Sequence, residues 1–242
     1  MQVRVVQEKD HEMTLRLAHS HPDFVNSLRR SIMHDVAIMA ISSVHIKQNN
    51  SVMADEFLAH RLGLIPIVCP PETMTEDIIF RLDIEGPCTV VASDLQHESV
   101  KMAYPDMPIV VLGKRQHVHI EAVARWGTGK THARFIPVCP VTYRFIADIR
   151  VTDIEDMGAL RALCPAGVFG EDGTPDEDKC TFCGECTTLD AAAAATVHVQ
   201  PQAGTFEMKI RTTGALPPRV VVERAIQSLQ RKVRAVEALV TA

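Results

Sequence analysis

An α+β fold is predicted by three features: alternating apolar and polar side chains near the start, two segments with apolar residues at helical spacing, and a strand-rich middle punctuated by proline and glycine. A cysteine-rich run late in the chain adds a small module to that frame.

Taken in order, residues 2 to 6 and 13 to 17 alternate (Val3 and Val5; Met13, Leu15 and Leu17), which predicts a short antiparallel pair. In PDFVNSLRRSIMHDV the apolar residues Phe24, Leu28, Ile32 and Val36 recur every four positions, and Pro22 and Asp23 suit a helix start. That pattern predicts a helix with one buried face and with Arg29 and Arg30 pointing elsewhere. AISSVHIKQNNS reads as a strand and a polar turn. ADEFLAHRLGLIPI reads as a short helix that ends around Gly63 and is stopped by Pro66. The strand-like segments IIFRLDI, CTVVAS, HVHIEAVARW and VTYRFIADI make residues 67 to 150 a β-rich region. Near the end, Val222, Ile226, Leu229, Val233, Val236 and Val240 fall at alternating steps of four and three, a coiled-coil type of seam. Begun at Pro217 and Pro218 and run to Thr241, such a helix would extend roughly 36 Å. A partner helix and the chain's own core are both open as the surface the seam meets.

The 242 residues suffice for a sizeable core, in one large domain or two to three modest ones, and 46% hydrophobic with 23% charged residues is ordinary globular composition. A net charge of −5 provides no overall attraction for phosphate backbones, so direct nucleic-acid readout is not expected. No apolar run approaches the length that spans a bilayer, and MQVRVVQEKDHEM lacks the apolar core of a signal peptide. A soluble, intracellular protein is expected. Seven cysteines without an export signal then favour reduced thiols or metal ligands over a disulfide framework.

Cys180, Cys183 and Cys186 lie in KCTFCGEC, the C-x2-C-x2-C spacing with which thiolates hold an iron–sulfur cluster. Asp190 stands where a fourth ligand would continue the run, and the Cys164-Pro165 pair upstream completes a set of four. Counting back from Cys164 gives Ile154, Met157 and Leu160, so a second triple is replaced by apolar residues. One cluster is expected, [4Fe–4S] or [3Fe–4S]. A four-thiolate zinc site is the main rival, and unligated cysteines or a degenerate module that folds without metal are the other readings. Cys69, Cys88 and Cys139 sit in apolar or strand contexts and are read as core or surface residues.

GTGKT at 127 to 131 mimics the end of a phosphate-binding loop, but the pattern requires glycine at 124, where the chain has Ala124. Pro137 and Pro140 also oppose the helix such a loop opens. His117 and His119 would share one face of a strand, and without carboxylate or cysteine neighbours they read as a solvated face. No catalytic set stands out.

The segments NSLRRSIMHDVAIMAISSVHIKQNNSVMADEFLAHRLGLIPI, GKTHARFIPV and TTGALPPRVVVERAIQSL, in this order, resemble the bacterial alpha subunit amino-terminal domain, the D-type subunit of archaeal RNA polymerase and the third subunit of eukaryotic RNA polymerase II. The cysteine run makes the archaeal type the closest in pattern. The zinc-binding cysteines of the eukaryotic subunits are absent, since VCPPETMTED retains only Cys69.

The resemblance implies a dimerisation domain of sheet and packed helices, split between residues 1–46 and 197–242. It implies an inserted β-rich domain at 47–152 and a nested ferredoxin-like module at 153–196. It further implies an assembly scaffold of DNA-directed RNA polymerase, a nucleotidyltransferase, in a chain without catalytic residues of its own. The partners implied are a small alpha-like subunit, the second-largest subunit and other small subunits, in the cytoplasm, or in the nucleus of a eukaryote. On periodicity, Phe24, Leu28, Ile32, Ile226, Leu229 and Val233 are the candidate dimer seam, with the chain's own core as the other reading. Arg29, Arg30, Asp55, Glu56, His60 and Arg61 match family segments that face the second-largest subunit. Read from the residues alone, they are a solvated helix face. The competing function is that of an electron-transfer or redox-sensing iron–sulfur protein, which accounts only for residues 164 to 190.

Overall fold

The computed structural model describes residues 1–69, 76–98, 100–152, 157–188 and 196–241. Its strands are β1 (Gln2–Glu8), β2 (Glu12–Ala18), β3 (Ala37–Asn49), β4 (Ile78–Glu85), β5 (Cys88–Val91), β6 (Pro108–Leu112), β7 (His117–Thr128), β8 (Val138–Thr152) and β9 (Thr196–Thr212). The helices are α1 (Pro22–His34), α2 (Asp55–Gly63), α3 (Met157–Leu163) and α4 (Pro218–Val240). Two compact units result, one of residues 1–6, 14–25 and 142–208, the other of residues 7–13, 26–141 and 209–242.

In the first unit, strands run in the order β1-β2-β9-β8. Strand β2 buries alternate side chains, with Leu15 and Leu17 inward, as the period of two requires. Aromatic packing of Phe206 against Tyr143 and Phe145 ties β9 to β8. Below that sheet segment, Ala147, Ile149, Leu160, Val168, Phe169 and Val197 enclose a small core that also takes in Cys180. Glu207 is 5% exposed and is held by two arginines. Arg144 Nε donates to it at 2.9 Å and an Arg16 Nη lies 3.5 Å away. Burying a carboxylate without such donors would cost several kcal/mol.

In the second unit, β3, β7 and β4 form an antiparallel sheet in that order, and β5 pairs with β6. Strand β3 opens with a continuous buried stretch, Ile38 to Ile41, then alternates, so its first half is covered on both faces. Helix α2 buries Leu58 and Leu62 against this core. Asp55 and Glu56 in its first turn and His60 and Arg61 in its last suit the helix dipole. The second-unit part of α1 buries Leu28 and Ile32, and α4 turns Val221, Ala225 and Ser228 inward. Ser31 Oγ donates to the carbonyl of Ala225 at 3.0 Å and joins the two helices.

Strands β1, β2, β3, β4, β5, β7 and β8 and helices α1, α2 and α4 coincide with segments the sequence predicts. Strands β6 and β9 and helix α3 do not appear among those expectations.

Candidate functional site

Cys164 follows α3, Cys180 and Cys183 lie on the loop after Glu177–Lys179, and Cys186 lies in the short turn Glu185–Thr188 that ends it. The loop is wound by left-handed backbone at Phe182 (φ 56°) and Gly184 (φ 83°). Arg144 fixes its start, donating to the carbonyls of Asp178 at 2.5 Å and Cys180 at 3.2 Å. Backbone N–H groups of Val168 and Phe182 donate to the sulfurs of Cys164 (3.4 Å) and Cys180 (3.5 Å). All four cysteines line one cavity of about 20 Å³, the space of a single water. Burial, and then the neighbouring Cys164, Cys180 and Cys183, push the Cys186 thiol up.

This geometry corrects the cofactor expected from spacing. Among the described residues no group of three or more His, Cys, Asp or Glu side chains is arranged to hold a metal ion. The four residues are free cysteines. Cys180 is buried while Cys183 is exposed. Neither the iron–sulfur cluster nor the rival zinc site fits, and the electron-transfer reading loses its centre. Ile154 and Asp190 lie outside the described residues. Leu160 is buried in the core beside the cysteines.

Cys69 is half-buried, with its sulfur accepting the N–H of Met39 at 3.3 Å and its thiol pushed up by burial. Cys88 and Cys139 are exposed.

The second unit presents a different surface at the C-terminal end of α1. Asp35 lies next to that end with a side chain 8% exposed, and it pairs with Lys130 at 3.4 Å and with Lys232 of α4. Burial works to raise its pKa, but hydrogen bonds from Lys232 and Ser31 and the lysine charges hold it below the usual carboxylate range. The GTGKT segment closes β7 and leads into a turn at Ala133–Phe135. A side chain on Gly129 would stand 2.2 Å from the Met33 carbonyl oxygen, and one on Gly127 would meet the Phe135 ring at 2.6 Å. These glycines serve close packing of the loop on α1.

Of the predicted seam residues, Leu28 and Ile32 lie in the chain's own core, Phe24 is exposed and Leu229 is half-buried. On α4, Ile226 (39%), Val233 (66%), Val236 (61%), Leu239 (80%) and Val240 (79%) form an exposed apolar stripe on a helix whose buried side is elsewhere. Of the predicted docking residues, Arg30, Asp55, Glu56, His60 and Arg61 are exposed and Arg29 is half-buried. Arg29 is turned back on α1 by bonds to Asn26 at 3.0 Å and Met33 at 3.2 Å. Asp55 accepts from Asn49 at 2.7 Å, and Arg61 donates to the carbonyl of Pro108 at 2.7 Å.

Between Asp55 and Arg61 the sequence reading passes over Phe57, which is 71% exposed. A signal was available: Phe57 falls off the Leu58–Leu62 face. His117 and His119 do have a carboxylate neighbour. Asp83 comes to them across the β4–β7 pairing, 2.6 Å from His117 and 3.8 Å from His119.

The second unit thus combines a strand-rich body with paired helices and an apolar stripe left exposed on α4. The family model described as the RNA polymerase Rpb3/RpoA insert domain matches residues 44–138. The chain is 32% identical over 252 residues to the DNA-directed RNA polymerase subunit Rpo3 of Archaeoglobus fulgidus, covering 96% of this chain and 94% of that one. It is 46% identical over 140 residues to Rpo3 of Methanocaldococcus jannaschii, covering 57% of this chain and 73% of that one. It is 27% identical over 277 residues to the RNA polymerase II subunit rpb3 of Dictyostelium discoideum, covering 96% and 92%. The chain belongs to the Rpo3/Rpb3 family of DNA-directed RNA polymerase subunits.

Proposed function

We propose that this chain is the archaeal, D-type assembly scaffold of a multisubunit DNA-directed RNA polymerase, contributing no catalytic residue of its own to the nucleotidyltransferase. The observation that carries the reading is the uncovered stripe of α4, Ile226 through Val240, which a lone chain exposes to water. Leaving such side chains exposed forfeits about 1.5–3 kcal/mol for each large aliphatic residue. A partner helix recovers that free energy, and a small alpha-like subunit is the partner proposed. Interfaces of this obligate kind commonly bury more than about 2,000 Å².

Large subunits dock, in this reading, at Arg29 and Arg30 of α1 and at the exposed edge of α2, where Phe57 stands among Asp55, Glu56, His60 and Arg61. An exposed aromatic within a charged rim is the composition of an interface anchor. The terminal segments 1–46 and 197–242 serve dimerisation, 47–152 is the insert, and 153–196 is a cysteine-bearing module of ferredoxin-like descent.

Native mass spectrometry of complexes recovered with this chain as bait tests the reading. A small homologous subunit and the two largest polymerase subunits are expected. Recovery of the chain alone, or as a homodimer, would overturn it.

A further inference from the structure

Two clefts flank Asp35, one of about 520 Å³ and one of about 460 Å³, and Asp35 lines both. Around the first stand Arg30, His34, Lys130 and Lys232; around the second stand Arg224, Arg231 and Trp126. No carboxylate other than Asp35 lines either cleft, although the chain as a whole carries a net charge of −5. Cations are therefore concentrated here against the overall balance. Asp35 is already engaged by Lys130 and Lys232, while Arg30 and Arg231 are exposed and have no ionic partner among the described residues. Like charges gathered within one Debye length repel one another, and an incoming anion relieves that repulsion.

We propose that the paired clefts form one cationic socket for a glutamate- or aspartate-rich segment of the large subunit that docks at Arg30. The inference rests on the docking reading and names the chemistry of that contact. Arginine forks pair bidentately with carboxylates, which gives the socket geometric selectivity as well as attraction. The overall charge of −5 opposes a long polyanion such as nucleic acid, whereas a short acidic segment meets only the local cations of the clefts. Leu229 and Val36 add apolar contact at the cleft walls.

The test has two arms. In the first, a labelled Glu-Ala repeat peptide, its Gln-Ala analogue and an oligothymidylate are titrated against the full chain in complex with its small partner. The glutamate peptide is expected to bind in a salt-sensitive manner, and Arg30→Gln with Arg231→Gln to weaken it about tenfold, with the lysine versions restoring it only in part, since lysine keeps the charge but not the bidentate fork. Equal binding of the glutamine analogue, no binding of the glutamate peptide, or tighter oligothymidylate binding lost in the same variants would each overturn the proposal. In the second arm, capture of the second-largest subunit is measured across a salt series. Loss of capture by the glutamine variants at lower salt than wild type supports the socket. Equal capture overturns the socket and leaves docking standing. If the wild-type chain captures no large subunit, docking itself fails, and the socket's partner with it.

Discussion

The ammonium group of Lys130 lies 3.4 Å from the carboxylate of Asp35, so a segment that looks like part of a phosphate loop is tied to the end of a helix instead. Lys232 reaches the same carboxylate from α4, and three elements distant in sequence meet at one charge. Replacing Asp35 with Asn is expected to lower stability by about 1–3 kcal/mol at neutral pH, read from urea unfolding. Because the native pKa of Asp35 lies below its unfolded value, its contribution is complete above about pH 4 and is lost as pH falls through the native value. The gap between wild type and variant should therefore close in acid. A gap of unchanged size below that range would show that Asp35 acts by packing alone.

Gly129 has no room for a side chain, since a Cβ would sit 2.2 Å from a backbone oxygen. Gly129→Ala should cost about 1–3 kcal/mol, because neither backbone can yield cheaply. Thermal unfolding with an unchanged midpoint would contradict close packing of this loop on α1.

Arg144 supports both the buried Glu207 and the carbonyls at the head of the cysteine loop. Arg144→Met is expected to destabilise by about 1–3 kcal/mol. Adding Glu207→Gln should recover part of that loss, a coupling that a double-mutant cycle measures. Strict additivity of the two changes would argue against the network.

Cys180 and Cys183 offer a test of the cysteine module. Cys180 is 7% exposed and Cys183 is open to solvent. Cys180→Ser should cost about 1–3 kcal/mol by burying a hydroxyl, and Cys183→Ser should be close to neutral. Equal, large losses at both positions would mark them as members of one ligand set and contradict their standing as free thiols.

Much of this fold is legible in the sequence, and what escapes does so for identifiable reasons. The four-residue spacing from Phe24 to Val36 and the seam from Val222 to Val240 fix α1 and α4 without reference to any contact. Strand β9 is harder to see because Pro201 and the left-handed Gly204 (φ 68°) interrupt it, although Phe206, Met208 and Ile210 alternate as a strand should. Strand β6 is a five-residue run whose apolar side chains show no period. The histidine pair is readable as a strand face, but Asp83 reaches it from 34 residues away through strand pairing that local pattern does not encode. Cysteine spacing misleads for a related reason. It fixes how far apart the thiols are along the chain but not how they are placed in the fold, and here Cys180 is buried while Cys183 is exposed. Among the seam positions, Leu28 and Ile32 share a periodic face with Phe24, and periodicity alone does not separate a core from an interface.

The most direct test of the scaffold role is hydrogen exchange across residues 226–240, compared between the isolated chain and the same chain in purified polymerase. Strong added protection over this stretch is expected in the assembly, because the exposed stripe of Ile226, Val233, Val236, Leu239 and Val240 is then covered. Exchange at the same rate in both states would mean that no partner covers α4, and the proposed basis of assembly would be wrong.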